Sequence, residues 1–329
     1  MKTNGKLSAT MFTVQERETG PVSFTPPALG YPDIQIGSAP AMATFNNYLY
    51  IAFQANDPSH SLFLTSAASG VTIFNHPAAR VIPVTAIGSA PAMAAVNGRL
   101  YIAFQADDPS HRLVIMSSPD GSDWTNPGPR LTIPGIAIGS APAVAAFNNR
   151  LYIAFQADGG SNALFVASSA DGLNFTTPVL VDPEIGVQTS SRPAMTVFNN
   201  QLYISLQDSS PFPGVFHHLV VTSSVDGVHF TNPARGFSGI LMGSGPAMTA
   251  LGGRLYISFQ ADDPGQALFV TSSADGVNFT TPATGYPGIL LGSAPASGEF
   301  GQRLWVAFQA DDPSHILFVA ASSPVANAQ

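Results

Sequence analysis

Short runs of apolar residues, four in each unit of about 51 residues, recur along the chain with polar turn residues between them. In the second unit these runs lie at 92–96, 100–105, 112–117 and 129–133. Aliphatic and aromatic runs of this length, bounded by Asn, Asp, Gly and Pro, predict β-strands. No segment between them shows the period of an amphipathic helix. The pattern therefore predicts an all-β chain of four-stranded antiparallel units.

The unit is written six times. Its most regular position is the glutamine that ends the second run, found at Gln54, Gln105, Gln156, Gln207, Gln260 and Gln309. A fixed period indicates stacked or circular copies of one supersecondary unit, and four antiparallel strands per copy are typical of a β-propeller blade. We expect a single β-propeller domain over residues 1–329. Its repeats lie at about 37–87, 88–138, 139–189, 190–242, 243–291 and 292–323.

The two ends of the chain predict how a ring would close. The last unit supplies three strands, through residues 317–321, and ends where a fourth is due. The amino-terminal segment 1–36 holds the missing piece, because residues 22–28 match residues 277–283 of the fifth unit. Pairing of the terminal strands removes free sheet edges that favour aggregation. We therefore expect a six-bladed β-propeller whose last blade is shared by both termini.

Composition and charge narrow the classes of partner. The chain is 45% hydrophobic and 10% charged, which suits an extensive core of small strands. Its net charge of −8 repels phosphate backbones, so nucleic acid is not an expected partner. No apolar run approaches the roughly 18 residues of a membrane span. The first residues do not form a signal peptide, so we expect a cytoplasmic or non-classically exported protein.

The turn between the third and fourth runs carries a second repeated motif: Ser, any residue, Asp, Gly, two residues and an aromatic. Its aspartates are Asp120, Asp171, Asp226 and Asp275, and the first unit has Ser69 at this position. The motif resembles the Asp-box of sialidases and related propellers. The resemblance implies a sialidase-like fold, with these turns on the face away from the active site. The carboxylate is expected to accept backbone N–H groups of its own turn while Gly takes a positive φ, which is a structural role.

The resemblance does not extend to the chemistry of sialidases, which use three arginines, a Tyr–Glu pair and an acid/base Asp. Arg192-Pro193 is a faint echo of the sialidase Arg-Ile-Pro phrase. Four other arginines occupy one turn position in different units, where we expect them to be solvated on the Asp-box face: Arg99, Arg150, Arg254 and Arg303. We therefore expect a lectin-like protein rather than a working sialidase, with no catalytic residues, metal or cofactor.

Successive turns of an antiparallel sheet lie at alternate ends of its strands. We therefore expect the Gly-Ser-Ala-Pro entrances to the first strands and the loops between the second and third strands to lie on the face opposite the Asp-box turns. These loops repeat a carboxylate, an amide and an imidazole, which together can bind the vicinal hydroxyls of sugars. Repetition around a ring gives multivalency towards clustered glycans. The loops also have a purely structural interpretation, because Asp-Pro-Ser is a good turn and a glutamine can satisfy loop backbone. The predicted ligand-binding residues are Gln54, Asp57, His60, Gln105, Asp108, His111, Gln260, Asp263, Gln266, Gln309, Asp312, His315 and Arg192.

The fourth unit departs most from the others. It has Arg192 in the entrance, a longer loop over 207–218, and Asp182, Glu184 and Gln188 in the preceding connection. Sequence drift would explain these differences, but so would one specialised pocket near the axis in which Arg192 binds an anion or a carboxylate acts. Two alternatives to the lectin therefore stay open: a glycoside hydrolase or other enzyme with a single central site, and a protein-binding scaffold.

Overall fold

The computed structural model describes residues 22, 24, 28–29, 35–68, 80–81, 86–124, 131–159, 162–181, 191–208, 217–231, 234–235 and 241–325. Within these ranges the regular secondary structure is entirely β, as the sequence predicts. The same ranges contain no helix with the length and apolar character needed to cross a membrane.

The strands form six four-stranded antiparallel sheets. Five sheets follow chain order, and the sixth places β1 beside β24. The strands are β1 Ala28–Leu29, β2 Ala41–Phe45, β3 Tyr48–Gln54, β4 Leu62–Ala68, β5 Arg80–Val81, β6 Ala92–Val96, β7 Arg99–Gln105, β8 Arg112–Ser118, β9 Leu131–Ala137, β10 Ala143–Phe147, β11 Arg150–Gln156, β12 Leu164–Ser169, β13 Val179–Leu180, β14 Ala194–Phe198, β15 Gln201–Gln207, β16 Leu219–Ser224, β17 Ala234–Arg235, β18 Ala247–Leu251, β19 Arg254–Gln260, β20 Ala267–Ser273, β21 Ala283–Leu290, β22 Ala296–Phe300, β23 Arg303–Gln309 and β24 Leu317–Ala321.

The first three strands predicted for the second unit are confirmed within one residue at each end, as β6, β7 and β8. The fourth is confirmed over residues 131–133, but β9 continues to Ala137, and residues 129–130 lie outside the described residues. Its pairing with β8 explains the extension: Leu131 lies opposite Ile115, and after a register shift Ala137 lies opposite Arg112. The outer strand therefore runs directly into the entrance of the next unit.

The tight turns between first and second strands follow from local sequence. Asn97 and Gly98 have φ values of 50° and 71°, and Asn46 and Asn47 have 48° and 62°. Two consecutive left-handed residues match the twist of a two-residue hairpin, and Asn and Gly adopt that conformation at low cost. These turns fix the register of each inner hairpin.

The amino-terminal strand completes the last sheet. Ala28 and Leu29 of β1 pair with Val319 and Phe318 of β24, and Phe24 forms a bridge with Ser322. The predicted pairing of the two ends of the chain is thus observed. Residues 1–21, and residues 30–32 of the predicted closing segment, lie outside the described residues.

The core lies between the sheets rather than within any one of them. Each first strand packs beside the first strand of the next sheet, and β22 packs beside β2. One buried cluster combines Ile51 and Phe53 of the first sheet with Trp305 and Leu317 of the last. No unit buries its apolar faces alone, so stability depends on contacts between neighbouring units.

Candidate functional site

The strand entrances and the loops after the second strands lie on the same side of the sheets, here called the upper face. Ile36 in the first entrance bridges Ala55 in the first loop, and Ile87 bridges Ala106 in the same way. The amide nitrogen of Gly37 also donates to Gln54 O at 2.8 Å. This confirms the predicted placement of the entrances beside the Gln–Asp–His loops.

The predicted aspartates of the upper loops stabilise their own turns. The Oδ1 atoms of Asp57 and Asp312 each accept the amide N–H two residues later, at 2.7 Å. Asp108 and Asp263 do the same at 2.8 and 2.7 Å. Hydrogen bonds from the Ser59 side chain and backbone hold the pKa of Asp57 below its ordinary value. These carboxylates are therefore part of the loop structure.

The imidazoles of the upper loops contact the next sheet. His60 Nδ1 lies 2.8 Å from Asp107 Oδ2, and His111 Nδ1 lies 3.1 Å from Asp158 Oδ2. His217 lies 2.7 Å from the Oδ2 atom of Asp262 in the same manner. Each histidine thus pairs with the aspartate that follows the Gln-Ala dipeptide of the next unit. We call these contacts the junction pairs.

The sequence interpretation had grouped each histidine with the aspartate of its own loop, such as His111 with Asp108. The residues it omitted are Asp107, Asp158, Asp262 and His217. A usable signal was present, because partners at two junctions are separated by the same 47 residues, slightly less than one repeat. Only the three-dimensional arrangement of the units shows that this separation brings them together.

Two further junctions use amides in place of one partner. Asn56 Nδ2 of the first sheet lies 2.8 Å from His315 Nδ1 of the last. With its amide nitrogen turned towards the sixth sheet, Gln266 donates to Asp311 Oδ2 at 3.0 Å. At the remaining junction, Asn162 instead accepts from Gln156 Nε2 of its own sheet, at 2.6 Å.

The glutamines lie beneath these loops. Their side-chain amides donate to backbone carbonyl oxygens of the following sheet: Gln54 to Ile87 O, Gln105 to Ile138 O, Gln260 to Leu291 O and Gln309 to Ile36 O. Gln309 therefore connects the last sheet with the first. Gln54, Gln260 and Gln309 are buried and Gln105 is half-buried. Gln54 is only 9% exposed, whereas the His60 and Asp107 side chains are 46% and 40% exposed. The junction pairs, rather than the glutamines, present polar groups to solvent.

The opposite, lower face carries the Asp-type turns, and their carboxylates are directed inward to their own backbone. Asp120 Oδ1 accepts the amide N–H groups of Ser122 and Asp123, both at 2.7 Å. These bonds hold the pKa of Asp120 far below its ordinary range. Gly121 has φ of +78° and packs against Tyr50 of the preceding sheet, so that a Cβ there would lie 2.3 Å from the Tyr50 hydroxyl.

The sequence predicts that the arginines of the lower face are solvated. In the structure they instead form hydrogen bonds within their own sheets. Arg99 Nε donates to Ser117 Oγ at 3.1 Å, and Arg150 donates to Ser168 Oγ at the same distance. Arg254 bonds to Ser272 Oγ, and Arg303 donates to Ser322 O at 2.8 Å. Each half-buried arginine joins the second strand of its sheet to the third strand or to the segment just after it, because the long side chain reaches along the neighbouring strand.

Arg192 of the fourth unit extends across the channel between the inner strands. Its Nη1 donates to Pro40 O at 3.2 Å and its Nη2 to Pro295 O at 2.5 Å. Burial lowers the pKa of Arg192 to about 10, so the group is charged at neutral pH. The loop over 209–216 and the predicted residues Asp182, Glu184 and Gln188 lie outside the described residues. The described part of the chain contains no cluster of three or more His, Asp or Glu side chains suited to a metal ion.

No protein-family model matches this chain, and no curated protein matches it in sequence. Solved structures are similar in fold. The Penicillium chrysogenum α-L-arabinanase complexed with arabinobiose is 14% identical with a TM-score of 0.70, covering 91% of this chain and 98% of the arabinanase. A protein of unknown function from Dyadobacter fermentans is 16% identical with a TM-score of 0.69, covering 92% and 99%.

The Trypanosoma rangeli sialidase in complex with the inhibitor DANA is 10% identical with a TM-score of 0.58. That match covers 88% of this chain and 55% of the sialidase. At such identities the likeness shows the fold alone: sheets arranged as in the β-propellers of the sialidase and arabinanase kind.

Proposed function

We propose that this protein is a single-domain, six-bladed, lectin-like β-propeller of the Asp-box type, closed by its terminal strands, that binds carbohydrate at several positions on its upper face. The observation that carries the proposal is the series of exposed junction pairs. His60 with Asp107, His111 with Asp158, and His217 with Asp262 repeat one arrangement at three junctions. Carbohydrate-active proteins among the structural neighbours support this class of ligand.

The chemistry of a junction pair suits a sugar diol. A carboxylate accepts two hydroxyl protons, while an imidazole can donate or accept through its second ring nitrogen. Sugars offer many hydrogen-bonding groups and little apolar area, so a pair of polar side chains set side by side can recognise adjacent hydroxyls. The predicted residues Asp57, Asp108, Asp263 and Asp312 complete the loop edge, and the buried glutamines hold adjacent sheets at the distance that the pair requires.

Exposed ion pairs contribute only about 0–1 kcal/mol to stability. A fold that already uses glutamine amides and buried apolar clusters between its sheets does not need the junction pairs for cohesion. Because the junction pairs contribute little to stability, we infer that their role is to bind a ligand. Several weak sites on one rigid ring would give high avidity for clustered glycans.

The test is a glycan array probed with the wild-type protein, His111→Ala, and the triple variant His60→Ala/His111→Ala/His217→Ala. The Arg254→Ala variant serves as the control, because its side chain lies on the lower face. We expect the single variant to lose a share of the glycan signal, the triple variant to lose most of it, and the control to keep it. A triple variant that binds as the wild type does would refute the proposal.

A single-site glycoside hydrolase is the second candidate, because the arabinanase and the sialidase among the neighbours are enzymes. It predicts one ligand per chain and complete loss of binding and turnover in Arg192→Ala. In the multivalent proposal, that variant keeps its glycan sites. A protein-binding scaffold predicts that neither set of variants changes glycan binding, since none would occur.

A further inference from the structure

The inner strands of all six sheets line a central channel with a cavity of about 80 Å³. This volume is several times the ~10–15 Å³ that one water molecule requires. Most of the lining residues are the Pro, Ala and Met residues at the starts of the first strands. Two lining residues carry polar side chains: Arg192 and Ser297.

The guanidinium has unused hydrogen-bonding capacity inside the protein. A guanidinium carries five N–H groups, and the hydrogen bonds of Arg192 occupy one on each terminal nitrogen. Its Nε–H is buried and has no hydrogen-bond partner within the described residues. Both existing partners are neutral carbonyl oxygens, so they leave the positive charge without a counter-charge.

The described part of the chain also supplies no ion pair to this arginine. Asp107, Asp158 and Asp262 of the upper loops contact histidines. Asp312 accepts from its own turn. Glu299, on the inner strand of the last sheet, accepts the Gln302 amide N–H at 3.1 Å in the turn at the far end of that strand. A partly buried charge that lacks a protein counterion favours binding of an external one.

The neighbouring unit is adapted to hold this arginine in place. Four units have alanine at the corresponding entrance position, and Ala39, Ala90, Ala141 and Ala294 cluster together. The fifth unit has Gly245 there, and a Cβ at this glycine would lie 2.7 Å from Arg192 Cγ and 2.8 Å from Arg192 O. The absence of a methyl group beside the arginine stem makes room for the side chain.

Ser297 supplies a second donor. Its Oγ accepts a hydrogen bond from Thr249 Oγ1 at 2.7 Å, which leaves the Ser297 hydroxyl proton for another partner. We propose that the channel binds one small monovalent inorganic anion, of the size of chloride or nitrate, through the Arg192 guanidinium and the Ser297 hydroxyl. This site is separate from the junction pairs and does not depend on the proposed glycan binding.

The test is the thermal unfolding midpoint of the full-length protein, measured while sodium chloride or nitrate replaces a salt of a bulky anion at constant ionic strength. Binding to the folded state alone raises the midpoint with a saturable dependence on anion concentration. We expect that rise in the wild type and in the lower-face control Arg254→Ala. We expect no saturable rise in Arg192→Ala, and saturation at a several-fold higher concentration in Ser297→Ala.

Arg192→Ala restores the alanine of four other units, so the substitution fits the entrance sterically. If it nevertheless fails to fold, Ser297→Ala and a crystal grown in sodium bromide decide the question. The expected crystal shows an anomalous bromide peak in the channel beside the Arg192 guanidinium. The proposal would be overturned if the wild-type midpoint showed no saturable dependence on the anion, or if Arg192→Ala showed the same dependence as the wild type. A crystal with bromide only on the outer surface would also overturn it.

Discussion

The upper and lower faces use the same residue types for different purposes. On the lower face, the Asp171 and Asp275 carboxylates each accept two amide N–H groups of their own turns. On the upper face, Asp108 also accepts an amide N–H of its own turn. Its neighbour Asp107 instead contacts His60 of the preceding sheet and is exposed. An aspartate directed to its own backbone stabilises its own turn, whereas one directed across a junction to an exposed imidazole presents polar atoms to solvent.

The junctions between sheets show a corresponding difference. At the lower face, Tyr101 packs directly on Gly172 of the next Asp-type turn, and this contact admits no side chain at the glycine. At the upper face, buried glutamines provide the cohesion and the junction pairs above them remain partly exposed. Substitutions at the lower face and at the glutamines should therefore cause large losses of stability, and substitutions at the junction pairs should cause small ones.

The largest effect is expected for Gly172→Ala. Gly172 has φ of +72°, and a Cβ would lie 2.4 Å from Tyr101 Cε1. The substitution combines left-handed strain with displacement of a buried ring, and we expect a loss of about 3 kcal/mol in the free energy of unfolding.

Gly98→Ala is a matched control, because Gly98 has φ of +71° with nothing within 4 Å of its Cβ position. It should lose only about 1 kcal/mol. Equal losses in urea unfolding would contradict the proposed contact.

A smaller loss is expected for Gln105→Ala. The substitution removes the amide donor to Ile138 O and leaves a buried carbonyl unsatisfied. Such a change destabilises by about 1–3 kcal/mol. Gln201→Ala is the control, because Gln201 accepts from Ser223 within its own sheet. A Gln105→Ala variant no less stable than this control would show that the amide contributes no cohesion between sheets.

The next effect depends on pH. Backbone N–H and side-chain hydrogen bonds from Asn278, with a further backbone bond from Val277, hold the pKa of Asp275 well below its ordinary value. A carboxyl with a depressed pKa in the folded state stabilises fully above its unfolded pKa of about 3.9, and loses that contribution as pH falls towards the folded pKa. Asp275→Asn should therefore be less stable than the wild type at pH 7, with a difference that shrinks below about pH 4. A difference in urea midpoint that stays constant from pH 7 to pH 3 would rule out this explanation.

The smallest effect on stability is expected for His111→Ala. Its partner Asp158 is 43% exposed and His111 itself 47%, so the pair should contribute less than about 1 kcal/mol. The same variant should lose a share of glycan binding. A stability loss comparable to that of Gln105→Ala, with unchanged glycan binding, would assign the junction pairs to the scaffold.

Most of the fold could be predicted because it is repeated. The alternation of short apolar runs with Asn, Asp and Gly turns identified the strands, and the extra strand-like segment before the first full unit predicted the pairing of Ala28–Leu29 with Leu317–Ala321. The position of β9 was less predictable, because its register shift against β8 is set by tertiary pairing and has no local turn signal.

The candidate site was only partly predictable. Periodicity identified the loops and their face, but it could not show whether His111 would contact Asp108 in its own loop or Asp158 in the next sheet. The answer depends on the distance and rotation between neighbouring sheets, which no single unit encodes. Arg192 was recognisable as a departure, yet its contacts with Pro40 and Pro295 follow from the positions of the first and last sheets and from the small Gly245.

The most direct test of the central claim is the number of ligands bound per chain, measured by native mass spectrometry with the glycan that gives the strongest array signal. Repeated junction sites predict more than one ligand per chain, with fewer in the His60→Ala/His111→Ala/His217→Ala variant and an unchanged number in Arg192→Ala. A single ligand per chain that disappears in Arg192→Ala would contradict multivalent binding at the junctions and would favour one central site.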